Sequence, residues 1–125
     1  MYDIRSVSRA MIIGNITIIE FKELPSGTAV LNFTVATNTK SKDDGDNIAM
    51  FHYISAWAKY GQTLHSLLTV GDLVLVDCSL SYRDRLLEGK KVRRIQLNCQ
   101  KLIVLQKKKT DRIEVSNDIL EAIGG

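Results

Sequence analysis

Ile48–Asp72 reads IAMFHYISAWAKYGQTLHSLLTVGD, and it joins two patterns of different period. From Ile48 to Ala58 the period is two. Phe51, Tyr53 and Trp57 share one parity, and His52, Ile54 and Ala56 share the other, which predicts a strand. From Lys59 to Val70 the residues Tyr60, Leu64, Leu67 and Leu68 recur at helical intervals, so one short amphipathic helix is expected there. Gly71-Asp72 closes it in the usual Gly-terminated way.

Working outward, Ala10–Ile19 (AMIIGNITII) is β-branched and broken by Gly14-Asn15, the sign of a strand with a bend or bulge. Glu20–Gly27 (EFKELPSG) reads as a loop with a Pro-Ser-Gly turn. In Thr28–Asn38, Ala29, Leu31, Phe33 and Val35 alternate with Val30, Asn32, Thr34 and Ala36, a half-buried strand. Thr39–Asn47 (TKSKDDGDN) is a polar loop. Downstream, Leu73–Tyr82 and Lys91–Leu105 are the last two strands, connected through Arg83–Lys90 with a hairpin tip at Glu88-Gly89. A two-residue turn at that tip sets Cys78 opposite Cys99 and Leu80 opposite Leu97. Apolar residues then face apolar residues, which supports the register. The cysteines are read as packed small hydrophobes. Three strands, a helix and two strands is the order of an all-β, five-stranded OB-fold barrel with one short helix between strands 3 and 4. A sandwich would need more strands and no mid-chain helix.

The chain has 125 residues, room for one domain with a real core. That domain is expected over residues 1–106, with a short acidic tail over 107–125. Residues 1–110 hold 16 of the 17 basic groups and 10 of the 14 acids, whereas Arg112 alone faces Asp111, Glu114, Asp118 and Glu121. A basic body with an acidic end fits a polyanion-binding domain followed by a tail. No apolar run approaches the roughly 20 residues of a membrane span. The start MYDIRSVSRA has no apolar h-region, so the cytoplasm is the expected location. Two cysteines are too few for a disulfide scaffold and lack metal spacing.

Catalysis finds little support. His52 and His65 are the only histidines. His52, on the parity of Ile54, reads as a hydrogen-bonded core or interface residue, and His65 as solvated. No GxGxxG, GxxxxGK[ST], HExxH or paired CxxC is present. Asp43, Asp44 and Asp46 lack the closing Glu of an EF-hand loop and read as a solvated turn. No metal and no cofactor is expected.

The positive signal is aromatic residues interleaved with basic ones. Phe51, Tyr53 and Trp57 share a face of strand 3, and Lys40, Lys42, Lys59, Arg83, Arg85, Lys90, Lys91, Arg93 and Arg94 flank it. Exposed rings stack on bases of single-stranded nucleic acid at about 1–3 kcal/mol per base, and cations beside them neutralise phosphate. Parity alone also allows the reverse, with the aromatics in the core, although Ile54 and Ala56 make the better interior.

On these residues the chain resembles the bacterial-type single-stranded DNA-binding protein family. Met11–Ile16 (MIIGNI) is similar to its opening strand and Gly-Asn turn. Leu24–Val30 (LPSGTAV), with Asn32-Phe33 and Ala36-Thr37-Asn38 after it, resembles the family's most specific segment. Phe51-His52 takes the place of its Trp-His pair. Trp57, Lys59 and the helix through Val70-Gly71-Asp72 resemble the region after that pair. The resemblance implies an OB-fold, a homotetramer (a dimer being the smaller alternative), and DNA wrapped over several barrels. It places Phe51 and Trp57 on bases; Tyr53 stands where the family often has a basic residue on the same face, and its ring makes it a third stacking candidate. It matches Arg9, Lys59 and Arg83 to basic positions near DNA; Lys40, Lys42, Arg85, Lys90, Lys91 and Arg93 join the expected phosphate set from their place beside the aromatic strand. The expected function is to coat single-stranded DNA during replication, recombination and repair.

Two departures matter. Ser41 stands near a position where the family carries an aromatic, and Arg85 or Leu86 falls where it has Trp. Tyr53 and Tyr82 are the candidates to compensate, and a larger phosphate share predicts a steep salt dependence. The tail ends Ile123-Gly124-Gly125 and is only mildly acidic. Replication or recombination proteins are the partners such a tail would recruit. A compact, divergent member of this kind suits a bacteriophage or mobile element, acting in the host cytoplasm. The rival reading is an OB-fold protein of primosome type whose main partner is another replication protein. A nuclease is the third, and it lacks a carboxylate or histidine cluster.

Overall fold

The computed structural model describes residues 7–40 and 47–108. Five strands, β1 (Arg9–Glu23), β2 (Ala29–Lys40), β3 (Asn47–Trp57), β4 (Leu73–Leu87) and β5 (Lys90–Gln106), close in the order β1-β2-β3-β5-β4. The helix α1 (Ala58–Leu67) falls between β3 and β4. This is the OB-fold barrel expected from the order of patterns. None of the described helices is long and apolar enough to cross a membrane.

Closure depends on β1 serving two neighbours. Its first half, Arg9–Asn15, pairs with β4, and its second half, Asn15–Glu23, pairs with β2. The change of partner coincides with Gly14-Asn15. A Cβ on Gly14 would collide with the carbonyl oxygen of Ala36, so the backbones approach there as only glycine permits. The break in register lies just beyond, between Ile16 and Ile18, which is the bulge that lets the strand turn.

Inside, Ile16, Leu31, Phe33, Val35, Ile54, Ala56, Val74, Val76 and Cys78 form the core. Ile54 is 1% and Ala56 0% exposed, whereas Phe51 is 53% and Tyr53 74% exposed. These values decide the parity question: the aromatic face of β3 is the outer one.

The hairpin register is also as read from the sequence. Cys78 lies opposite Cys99 and Leu80 opposite Leu97. Glu88 (φ 51°) and Gly89 (φ 77°) make the two-residue turn, both in the left-handed region that matches strand twist. Both cysteines are buried thiols. Burial pushes Cys78 up to about 11 and Cys99 up to about 12.

Several boundaries differ from the sequence reading; Thr39, Lys40 and Asn47 are strand and Ala58 is helix. Glu20–Glu23 is strand, because Phe21, Lys22 and Glu23 pair with Leu31, Val30 and Ala29, and the ladder outweighs polar composition. The tight connection is Leu24–Thr28, where Leu24 N–H donates to Thr28 O at 2.8 Å. Arg83–Leu87 is likewise strand, paired residue by residue with Lys90–Arg94. The helix stops at Leu67, with Leu68 N–H donating to Leu64 O. Leu64 and Leu68 are buried and Leu67 is 56% exposed, so the apolar stripe is narrower than read. Gly71 (φ 100°) is therefore no helix cap. It forms the turn into β4 and donates its N–H to Ile16 O at 2.7 Å.

Asp72, completely buried, organises that turn. Its carboxylate accepts from Thr69 N (2.9 Å), Lys108 N (2.9 Å) and Lys107 Nζ (2.7 Å). Lys107 Nζ also donates to Leu67 O at 2.8 Å. The end of β5 is thereby fastened to the end of α1.

Candidate nucleic-acid interface

The outer face of β3 is set by its pairing. Tyr53 lies opposite Thr34, Ser55 opposite Asn32 and Trp57 opposite Val30. Successive outward positions stand about 6.6 Å apart along the strand, so Phe51, Tyr53, Ser55 and Trp57 form one line of side chains. Trp57 is half-buried. Val30 points outward beside it yet is 2% exposed. Ser55 Oγ donates to Asn32 Oδ1 at 2.7 Å.

Tight backbone geometry fixes where this line ends. Trp57 is the N-cap of α1, and Ala58 comes next with φ 54°, a left-handed conformation for a residue with a Cβ. Such a residue costs of order 1–3 kcal/mol. It is imposed by the abrupt change from strand to helix. Gly61, one turn on, rests so close to Ala56 that a Cβ would meet its carbonyl oxygen.

From Ser81 to Ile95 the β4–β5 hairpin stands out from the barrel as an arm, almost every residue exposed. A cleft of about 390 Å³ runs between the arm and the outer face of β1–β3. Tyr53, Asn32, Ser55 and Gln96 line it from the barrel, and Arg83, Arg85 and Arg94 from the arm. Ile18 and Glu20 enter from β1. A second, apolar cavity of about 400 Å³ lies next to it, lined by Ala10, Ile12, Phe51, His52, Leu80, Ile95 and Leu97. Tyr53 borders both.

The charges of the arm divide by parity. On the face away from the cleft, Asp84 holds Arg93 (3.1 Å) and Lys91 (3.3 Å). On the cleft face, Arg83 lies directly opposite Arg94, and Arg85 is the next residue of that parity. Among the described residues none of these three arginines has a carboxylate within 4 Å, whereas Arg9, Lys22, Lys91, Arg93 and Lys107 do. Like charges placed directly opposite across a strand pair are destabilising. An anion in the cleft would relieve that repulsion.

The sequence-predicted residues thus separate into groups. Tyr53, Arg83 and Arg85 meet in one cleft. Phe51 and Trp57 flank it on the same face of β3. Arg9 is engaged by Asp77, with Nε donating to Oδ1 at 2.8 Å, and that bond holds the Asp77 carboxyl below its usual range. Lys91 and Arg93 are on the other face of the arm. Lys40, Lys59 and Lys90 are exposed and outside the cleft. Lys42, Ser41, the aspartates of 43–46 and the tail beyond 108 lie outside the described residues. Arg94 is the cleft arginine missing from the phosphate set chosen on sequence. The usable signal was its pairing with Arg83, which the hairpin register fixes. His52 behaves as read: half-buried, with Nε2 2.9 Å from Thr37 Oγ1. His65 differs. It is exposed, but its ring stacks on Phe21 at 4.4 Å between centroids.

Two comparisons bear on this surface. A single-stranded DNA-binding protein of Aquifex aeolicus (strain VF5) is 26% identical over 118 residues, covering 90% of this chain and 79% of that protein. The model of the single-strand binding protein family matches residues 7–105, a span that takes in the whole barrel, the aromatic face and the arginine arm. By that match over most of its length, this chain belongs to the single-strand binding protein family.

Proposed function

We propose that the protein binds single-stranded DNA without regard to sequence and coats it during replication, recombination or repair. The observation that carries this is the arginine set Arg83, Arg85 and Arg94, free of carboxylate partners among the described residues, facing the exposed Tyr53 ring across one open cleft. Guanidinium groups match phosphate geometry and bind it bidentately. Rings on the outer face of β3 reach a base only when that base is unpaired, so the arrangement selects single strands. Stacking is blind to base identity because every base has a π-face. Phe51, Tyr53 and Trp57 supply the stacking surface. Arg83, Arg85 and Arg94 supply the nearest phosphate contacts. Lys40, Lys59 and Lys90 add long-range attraction.

Assembly uses another face. Ile13, Leu75 and Ile103 align across β1, β4 and β5 in register. Ile13 is 54% and Ile103 43% exposed, with Met11 and Leu105 also open. An apolar row of this kind marks an association surface, and a homotetramer of barrels would let one strand of DNA pass over several clefts.

Titration of Trp57 fluorescence with oligo(dT) tests the reading. The expected result is quenching with tight binding, and a loss of affinity of roughly 5- to 150-fold for each stacking ring replaced by alanine, the equivalent of about 1–3 kcal/mol, read from the anisotropy of labelled oligo(dT) in variants that lack Trp57. Unchanged fluorescence, together with binding unaltered when Phe51→Ala, Tyr53→Ala and Trp57→Ala are combined, would refute it and favour a protein partner at this face.

A further inference from the structure

The outer surface carries a second network that the stacking and phosphate roles do not use. Trp57 Nε1 donates to Asn98 Oδ1 at 3.1 Å. Gln96 Nε2 donates to the same oxygen at 3.1 Å. Asn98 Nδ2 in turn donates to Ser81 Oγ at 3.0 Å. One amide therefore joins β3, β5 and β4. It does so at the thinnest seam of the barrel, since β3 and β5 pair only through Ile54–Leu97 and Ser55–Asn98. Beyond Gln96 and Ser81 begins the arm that bears Arg83, Arg85 and Arg94.

We propose that Asn98 is a positioning residue, which fixes the Trp57 ring relative to the arginine-bearing arm. An indole has one donor and no acceptor. With its N–H committed to Asn98, Trp57 offers a partner only its ring face, which suits stacking and gives no handle on a base edge. The backbone adds its own constraint, because Ala58 is held left-handed immediately after Trp57. Backbone and side chain together restrict the ring. Without Asn98 the half-buried indole loses its hydrogen bond, and with it the bridge from Trp57 to the arm. The importance of this for DNA binding rests on the stacking role proposed above, but the positioning itself does not.

Trp57 is the only tryptophan, so its fluorescence reports the ring directly. In Asn98→Leu, time-resolved anisotropy of the free protein should show a new nanosecond motion of the indole, and oligo(dT) affinity should fall at least fivefold. Asn98→Asp keeps the acceptor oxygen and should leave the indole immobile. Asn98→Ser, polar and too short to reach the ring, replaces the leucine variant if that one does not fold. Unchanged anisotropy in Asn98→Leu or Asn98→Ser overturns the proposal. If the ring is mobilised but Trp57→Ala binds oligo(dT) normally, positioning stands and the stacking reading falls.

Discussion

Side-chain parity makes sharp distinctions between neighbours on the arm. Arg94 faces the cleft and Arg93 faces Asp84, so the two should behave differently. Each phosphate contact contributes about 0.7 to the slope of log affinity against log salt for a single strand. Arg94→Ala should lower that slope by about 0.7, and Arg93→Ala should lower it less. Fluorescence titrations at four or more salt concentrations measure both, and equal slopes would refute the division. The cysteines give a second expectation. With pKa values raised by burial to about 11 and 12, the thiolate fraction at pH 7 is about one part in ten thousand or less, and the thiolate is the reactive form. Native protein should resist iodoacetamide, and labelling should appear only as the barrel unfolds. Much of this scale was legible in sequence. The two-residue turn at Glu88-Gly89 fixed which residues face each other, including Cys78 with Cys99. It also paired Arg83 with Arg94. What it could not tell was which side of the arm looks at the barrel, because that depends on how the hairpin bends after Leu80.

Elements meet where backbones come close, and these meetings were the least legible part of the sequence. The helix ends at Leu67 and not at Gly71, which resembles a C-cap in sequence, because the stop at Leu67 is stabilised by Lys107, 40 residues away. Composition carries no trace of such a partner. Asp72 shows what the contact is worth. Burial works against its charge, but the bonds from Lys107 Nζ and from the amides of Lys108 and Thr69 outweigh this, and its pKa lies below the ordinary carboxylate value. A carboxylate depressed in the folded state contributes stability that is fully present above its unfolded pKa and lost as the pH falls through the folded one. The barrel should therefore hold constant stability from this source at neutral pH and weaken below about pH 4, the unfolded value of an aspartate. Asp72→Asn should remove that part of the acid sensitivity while lowering stability at pH 7 by about 1–3 kcal/mol, the cost of leaving buried donors unmet. Urea unfolding at pH 7 and pH 3 measures both effects. Against the other end of the helix, Gly61→Ala would drive a methyl into the Ala56 carbonyl. A loss of about 1–3 kcal/mol is expected from overpacking, with the Trp57 emission shifted because the strand-to-helix turn must open.

At the scale of the molecule, the barrel separates two surfaces. The cleft lies between the arm and β1–β3, whereas the apolar row Ile13, Leu75 and Ile103 lies across β1, β4 and β5. No residue of that row lines the cleft. Binding one segment of DNA and assembling copies of the chain should therefore be separable by mutation. Ile13→Asp combined with Ile103→Asp places a charge on each outer strand of the row, where both side chains are exposed in the single chain. Folding should be little affected, since substitutions away from the core usually stay within about 0.5 kcal/mol. Light scattering should report a monomer in place of the proposed homotetramer. An oligo(dT) short enough to occupy one cleft should bind the variant as it binds the native protein. A long oligo(dT) should bind it more weakly, because the gain from engaging several linked clefts at once is lost. If the variant remains oligomeric, the row is not the assembly surface; if short and long strands lose affinity equally, the two surfaces are coupled through the barrel after all.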